Sequence, residues 1–540
     1  MLRKIIATVL IMCIILCVAS CNNNSNDTPP ITYTTSSKPD EVIMGTGKLS
    51  LYFSLSDSLN PYKSVSLGNQ QLASLLFDPL VKLDADLNPH NVLAKEIQII
   101  GKKCIIHLAS AVFSDGSAIT AEDVTFSIKQ ARASENGLYQ AQLSNIYSYG
   151  AADKDTVEII MKKADPNFVR VLDFPIIKSG TTKLEDSDKK ELPPVGSGRY
   201  IYKDDNGVYS LIPNKKYIAK PAENTISLVN TPDAEALDFN IKTGSVDICY
   251  TPVTNGDRPI MGGGVSKVKQ TNLVYIGFNS NRQSVYDSKI RLAIANFINR
   301  NDVCETAYYT YAQPALSPYV NGVDFAAKWQ NMFSENENTK KSVEYLADLS
   351  YNKKDTDGYY VDAKGKRISV SLLYNTDNVF QKNAAELIIK QLKNSGVEVK
   401  AQGVSRDKYV SAVNAADYDM YLGEVKLNKN FDLSSLFSQH LVSVKTTATT
   451  VKTTVGTTDP TAPTTDAVKP EVVVEMDKVY NSYLEGKIKF DEFMSAFSEQ
   501  MPFVPVCYRL GIVSYSAQIT PAAVASVSDA YFNIELLSVK

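Results

Sequence analysis

Histidine and tryptophan are scarce in this chain, with three of the former and one of the latter in 540 residues. With only His90, His107 and His440, histidine-based catalysis or a multi-histidine metal centre has little to be built from. The motifs G-x-S-x-G, G-K-[ST], H-E-x-x-H and paired C-x-x-C are all missing, and with them the local signatures of hydrolase elbows, phosphate loops, zinc peptidases and dithiol centres. No long basic run occurs and the formal net charge is −3, which argues against nucleic acid as a partner. Cysteine is thin as well. Cys13, Cys17 and Cys21 sit at the start of the chain, and Cys104, Cys249, Cys304 and Cys507 are too scattered for a disulfide framework. One pairing among these four is possible, but their spacing does not select it. Cys104 and His107 lie in the apolar run Cys104-Ile105-Ile106-His107-Leu108, where an offset of three puts them on opposite faces of a strand. They read as a buried thiol and a strand histidine rather than a metal pair.

What the chain does have is a conspicuous beginning. Arg3 and Lys4 precede an almost wholly apolar stretch, Ile5 to Val18, and then Ala19-Ser20-Cys21. The stretch is shorter than the roughly 20 residues that span a bilayer core, and small residues come after it as at a signal cleavage site. Val18-Ala19-Ser20-Cys21 resembles the bacterial lipobox. That resemblance implies a signal over residues 1–20 and a diacylglyceryl thioether on Cys21, holding the protein to the outer face of the cell membrane. An ordinary cleaved signal or a short membrane helix is the alternative reading. Asn22 to Lys38 is rich in Asn, Thr, Ser and Pro, so residues 21–44 are expected to form a disordered tether with a reach of about 25 Å. The rest of the chain is long enough for two to four structural units at roughly 100–200 residues each.

Helical and strand patterns alternate along that remainder. Leu49 to Ser56 alternates apolar and polar residues, as a half-buried strand does. Leu72, Leu75 and Leu76 sit at helical spacing. Thr120 suits a helix N-cap with Glu122 and Asp123 in the first turn, and Val124, Ile128 and Ala131 continue the apolar face. Ile290, Ile294, Phe297 and Ile298 mark another helix. Ala385, Ile388, Ile389 and Leu392 mark a third, closed by Gly396 and leading to a strand-like Val397 to Lys400. The class is therefore α/β. Residues 445–470 are dominated by Thr with no sustained periodicity, which reads as a disordered insertion, O-glycosylated or inert.

Ordered motifs run through the chain from about Leu49 onwards. They include Leu76-Phe77-Asp78-Pro79-Leu80-Val81, Val112-Phe113-Ser114-Asp115-Gly116 leading into Ile119 to Phe126, and Pro194-Val195-Gly196-Ser197-Gly198-Arg199-Tyr200. Lys242 to Ile248, Tyr275 to Asn279, Asp287 to Arg300, Leu387 to Val399 and Met501 to Pro505 come next in turn. Each has a plain physical reading as well: Asp115-Gly116 as a turn, Gly196-x-Gly198 as a place where the backbone turns tightly, Arg291 as a surface or interlobe charge. Together, in this order, they resemble the extracytoplasmic solute-binding proteins of the peptide- and nickel-receptor family, family 5, which feed ABC importers. Arg199 departs from that pattern, standing where proline is usual.

The resemblance implies a two-lobed binding-protein fold with an extra subdomain. Residues 45–271 and 506–540 would form lobe I, with the subdomain over about 71–190, and 272–505 would form lobe II with the Thr-rich insertion. Crossovers would lie near Asn272 to Asn279 and Pro502 to Tyr508. Ser54 to Asn60 and Tyr418 to Asp432 would face the cleft. Peptide-binding relatives typically carry G-W-x-x-D in the latter segment, the acid meeting the peptide ammonium. Here the residues are Gly423-Glu424-Val425-Lys426-Leu427. The candidate ligand contacts are Ser56, Asn279, Tyr421, Gly423, Glu424, Tyr508 and Arg509, with Glu424 either anchoring a ligand ammonium or pairing internally with Lys426 or Lys429. Asp432 reads as a helix cap. No catalytic residue, metal or cofactor is implied. The expected protein is a non-enzymatic, monomeric receptor for a di- or oligopeptide, with ABC permease subunits and the membrane as partners. A nickel chelate, haem or an oligosaccharide are alternative ligands. An extracellular hydrolase using Glu424 and Asp432, or a surface sensor, are alternative functions.

Overall fold

One eleven-stranded sheet organises the chain. In this computed structural model residues 49–187, 189–252, 262–438, 443–445 and 473–539 are described. The expected export signal, Cys21, the expected tether and the Thr-rich segment beyond Lys445 lie outside the described residues. Three strands form the middle of the sheet: β1 (Gly264–Phe278), β2 (Met420–Lys426) and β3 (Phe503–Tyr515). On one side, antiparallel β1 and β2 lead to Ser369–Asn375 and Glu398–Val404. On the other, β3 pairs with Ile248–Thr251 and with the short Ala312–Pro314, and Leu49–Phe53, Ile226–Asn230, Val208–Pro213 and Tyr200–Asp205 complete the sheet. A separate four-stranded antiparallel sheet uses Ala94–Ile100, Lys103–Leu108, Thr156–Met161 and Ile146–Ala151.

The apolar side chains divide into two main cores. Residues from 273 to 508, joined by Leu87, form one. Residues 49–268 and 513–537 form the other. The fold is thus two-lobed and α/β, with β1 and β3 running through both halves. Their mutual register slips between Lys269 and Leu273, so the ladder is interrupted where the strands pass from one core to the other.

Local chemistry explains the helices. Ala121–Arg132 starts where the Asp123 carboxylate accepts the Thr120 N–H at 2.9 Å, the reciprocal half of a capping box. Ser288–Phe297 buries the Ile290, Ile294 and Phe297 face. Val379–Ser395 ends on Gly396, whose φ of +104° favours glycine. That helix crosses between the parallel strands Ser369–Asn375 and Glu398–Val404, a βαβ unit.

The structure departs from three of the sequence expectations. Leu49–Phe53 is buried on both faces rather than half-buried, because it lies inside the sheet with packing above and below. Arg291 is neither a surface nor an interlobe charge. It is fully buried and donates to the carbonyls of Gln500, Met501, Val285 and Tyr286. Gly198 serves close approach rather than turning, since a Cβ there would overlap the Leu75 carbonyl oxygen and the Leu76 carbonyl carbon. Both neighbours are backbone at the end of the Leu67–Leu76 helix and have little freedom to retreat. Gly198→Ala is therefore expected to destabilise the protein by about 1–3 kcal/mol, the usual range for overpacking. A urea unfolding midpoint equal to the wild type's would refute this account.

Candidate functional site

Cys104, Cys249, Cys304 and Cys507 are all buried and free, so none is cross-linked to another. Cys104 is buried and His107 half-buried on the opposite strand face, with His107 Nδ1 3.2 Å from the Thr156 hydroxyl. Burial pushes the Cys104 thiol up to about 12.

The residues expected to hold ligand are mostly occupied with the fold. Tyr421 and Tyr275 share a hydroxyl–hydroxyl hydrogen bond of 2.9 Å, and Tyr418 and Phe503 pack edge-on against this pair. Gly423 lies across the ladder from Tyr275, where a Cβ would come within 2.7 Å of the ring. Its missing side chain makes room for a tyrosine of the core. Tyr508 is fully buried and donates to the Pro318 carbonyl at 2.7 Å. Asn279 donates to the Ala416 carbonyl at 2.8 Å and accepts the Asn281 N–H, fastening the end of β1. Ser56 is exposed on a turn, 3.1 Å from the Ser54 hydroxyl.

Arg509 and Glu424 do come together. The fully buried guanidinium lies over both Tyr308 and Phe380, which stack on each other, at 5.0 and 4.7 Å from the ring centroids. Its Nη1 approaches both Glu424 oxygens, at 3.4 and 3.5 Å. Burial raises the Glu424 pKa, with Arg509 opposing. Neither Lys426 nor Lys429 is its partner, contrary to the pairing considered from sequence. The aromatic faces hold Arg509, and Arg509 holds Glu424.

None of these candidate contacts lines the cavity between the two cores, which has a volume of about 550 Å³, within the ~300–1,000 Å³ of small-molecule sites. One wall carries Gln70, Gln71, Phe77, Tyr139, Tyr250 and Gln270; the other is Lys426-Leu427-Asn428-Lys429, directly after the segment singled out from sequence. Ser526 to Ala530 contribute from the C-terminal segment. The polar floor is internally satisfied: Gln71 accepts from the Tyr52 hydroxyl and donates to the Tyr250 carbonyl, while Gln270 donates to the Tyr250 hydroxyl.

The walls are fastened across the gap. Asp173 accepts from Lys429, from the Ser528 hydroxyl at 2.6 Å and from Gln142 at 2.6 Å. Beside it, Asn430 donates to the buried Asp165 carboxylate at 2.6 Å. Burial lifts the Asp165 carboxyl to about 6, the Asn430 and Asn167 donors oppose that rise, and the charge of Asp432 adds to it. Asp432 itself accepts the Ser434 N–H at 2.9 Å, a turn at the start of the short Ser434–Ser438 helix. A second set of contacts lies elsewhere between the lobes. Arg170 bridges the Leu87 carbonyl and Asp324, and Asn88 exchanges hydrogen bonds with Gly322 and Asp324.

The sequence signal for the cavity wall was the departure at 423–427, although only its last two residues face the cavity. The Leu67–Leu76 face, Asp173 and the 526–530 segment carried no local signal, because they converge from distant parts of the chain.

Comparison with known proteins fits this architecture. Residues 88–480 match the model of the bacterial extracellular solute-binding proteins, family 5 Middle. The oligopeptide-binding protein AppA of Bacillus subtilis is 25% identical over 443 residues, covering 77% of this chain and 78% of that protein. The periplasmic murein peptide-binding protein MppA of Escherichia coli is 24% identical over 401 residues, covering 67% and 72%. Among solved structures, the unliganded open form of MppA superposes with a TM-score of 0.66 at 19% identity, over 93% of this chain and 99% of that one. A nickel ABC transporter protein from Bacillus halodurans gives 0.65 at 19% identity, over 91% and 100%. With two cores sharing a sheet, a cavity enclosed between them and a family match over most of its length, this chain belongs to the family 5 bacterial extracellular solute-binding proteins.

Proposed function

We propose that the protein is a lipid-anchored receptor that captures a di- or oligopeptide in the 550 Å³ cavity and delivers it to an ABC permease. The observation that carries this reading is the cavity itself, walled by both cores and fastened by polar contacts that can open. The peptide preference is supported by AppA and MppA, whose names give oligopeptides and murein peptides as what they bind. The work is hinge closure: a ligand shifts the lobes only by binding the closed form better than the open one. The interruption at Lys269/Leu273 is the natural bending point, because fewer ladder hydrogen bonds hold β1 to β3 there. No covalent step is required of any residue, and the protein acts as a monomer without a cofactor.

Screening a peptide panel by small-angle scattering is expected to find at least one peptide that lowers the radius of gyration and raises the melting temperature. It should emerge chemically unchanged. Hydrolysis of the peptide, or indifference to the whole panel, would overturn the receptor reading. Cys21→Ser is expected to release the protein into the medium with its binding unaltered, and retention in the membrane fraction would exclude the lipid anchor.

Closure also has a defined pH sensitivity. The Asp165 carboxyl titrates at about 6 when the lobes are together, and near the ordinary ~4 when exposed. The closed form therefore binds the extra proton between these values, and closure weakens as pH rises through that window. The loss is complete about one unit above the closed-form value, where both forms are ionised. The closed fraction, followed by scattering without ligand, is expected to fall between about pH 4.5 and 7, and Asp165→Asn is expected to flatten the profile. A rise with pH would show that another group governs closure.

A further inference from the structure

The charges lining the cavity do not balance locally. Lys82, Lys426 and Lys429 supply cations, and Asp173 and Asp529 supply anions. Both acids are already engaged. Asp173 takes Lys429, and Asp529 takes Arg199 at 2.7 Å with Lys82 at 3.9 Å. Lys82 also reaches Asp78 at 3.5 Å. Among the described residues, Lys426 has no carboxylate partner. Its side chain is accessible from the cavity, and the acid on its own strand, Glu424, is turned to Arg509 instead. The Lys426 side chain stays open to solvent through the cavity, yet partial desolvation by the surrounding walls and repulsion from Lys429 lower its pKa, so its charged form is held at a cost that an incoming anion would relieve.

We infer that Lys426 is an anion-recognition point, and that the ligand carries a carboxylate which docks on its ammonium between the lobes. This rests on the receptor reading and names the ligand's chemistry within it. An ammonium in that position would meet Lys426 and Lys429 together and be repelled. A carboxylate would complete an alternation of charge across the cavity, with Lys429 and Asp173 beside it. Desolvated on closure, a charge-assisted hydrogen bond of this kind is stronger than in open water. It would also strengthen when the walls meet and expel water, which is what a closure-driving contact requires. The carboxylate can come from a peptide C-terminus or from an acidic side chain.

The test is isothermal titration of the full protein with trialanine, trialanine amide, Ala-Glu-Ala amide and inorganic phosphate, repeated on Lys426→Met and Lys426→Arg. Trialanine is expected to bind roughly tenfold or more tightly than its amide, and Lys426→Met to erase that difference while Lys426→Arg keeps it. Preference for Ala-Glu-Ala amide over trialanine would assign the carboxylate to a side chain; the reverse would assign it to the C-terminus. Equal binding of trialanine, trialanine amide and Ala-Glu-Ala amide by the wild type, or a Lys426→Met profile matching the wild type, would overturn the anion site and leave the peptide receptor standing. Lys426-dependent binding of phosphate with no peptide bound would uphold the anion site and overturn the peptide reading. Lys426 is exposed at a strand end, so unchanged melting temperatures of both variants are the folding control.

Discussion

The antiparallel ladder between β1 and β3 is the constraint on which the rest depends. These strands, of 15 and 13 residues, belong to both cores at once, so neither lobe can form its sheet without the other. Outside their shared ladder, β1 pairs with β2 of one core over Asn272–Phe278, and β3 pairs with Ile248–Thr251 of the other core over Ile512–Tyr515. Two rigid cores joined by two strands have one soft direction, a bend across the strands where the ladder is broken. The cavity lies between these cores because a sheet shared in this way leaves a gap wherever its halves are not packed together.

Buried cations do much of the fastening that apolar contacts cannot. Arg291 and Arg300 direct their guanidinium donors at main-chain carbonyls, which satisfies backbone groups that a core would otherwise strand. For both, burial pulls the pKa down, to about 10 and about 9. Arg199 works differently: it ties the first lobe to the C-terminal segment through Asp529 and Glu535. Removing one member of that group would leave a buried charge uncompensated, which is far more costly than the net worth of the pair. The arginine at the usual proline position thus has a structural reason.

How much of this was legible in the sequence varied with distance along the chain. Helices capped by their own residues, such as Ala121–Arg132 and Val379–Ser395, could be read directly, because cap and apolar face lie within one turn or one stripe. The α/β class came from the alternation of helical and strand patterns, and the family from the order of motifs. The burial of Leu49–Phe53 could not be read, since alternation records the strand's own residues and not what covers them. The candidate ligand residues show the same limit more sharply. Tyr421 and Gly423 stood out as an aromatic and a glycine near a cleft, but their register against β1 makes them complementary halves of a packed core with Tyr275. Tyr508 and Arg509 lie on a strand buried throughout most of its length. Only three-dimensional register separates a side chain that faces the cavity from one two residues earlier that does not.

The interlobe contacts set the scale on which a ligand must act. Hydrogen bonds such as Asn430 to Asp165 and Asn88 to Gly322 exchange protein partners for water when the lobes part, so each is worth only about 0.5–1.5 kcal/mol net, or about 1.5–3 where a carboxylate is charged. A few such bonds hold the closed form within several kcal/mol of the open one. That is the range in which the differential affinity of one small molecule decides the population. A large apolar interface in the same place would have locked the lobes together regardless of ligand. The polar character of these contacts, together with the charge that Lys426 presents to the cavity, keeps closure conditional on what is inside.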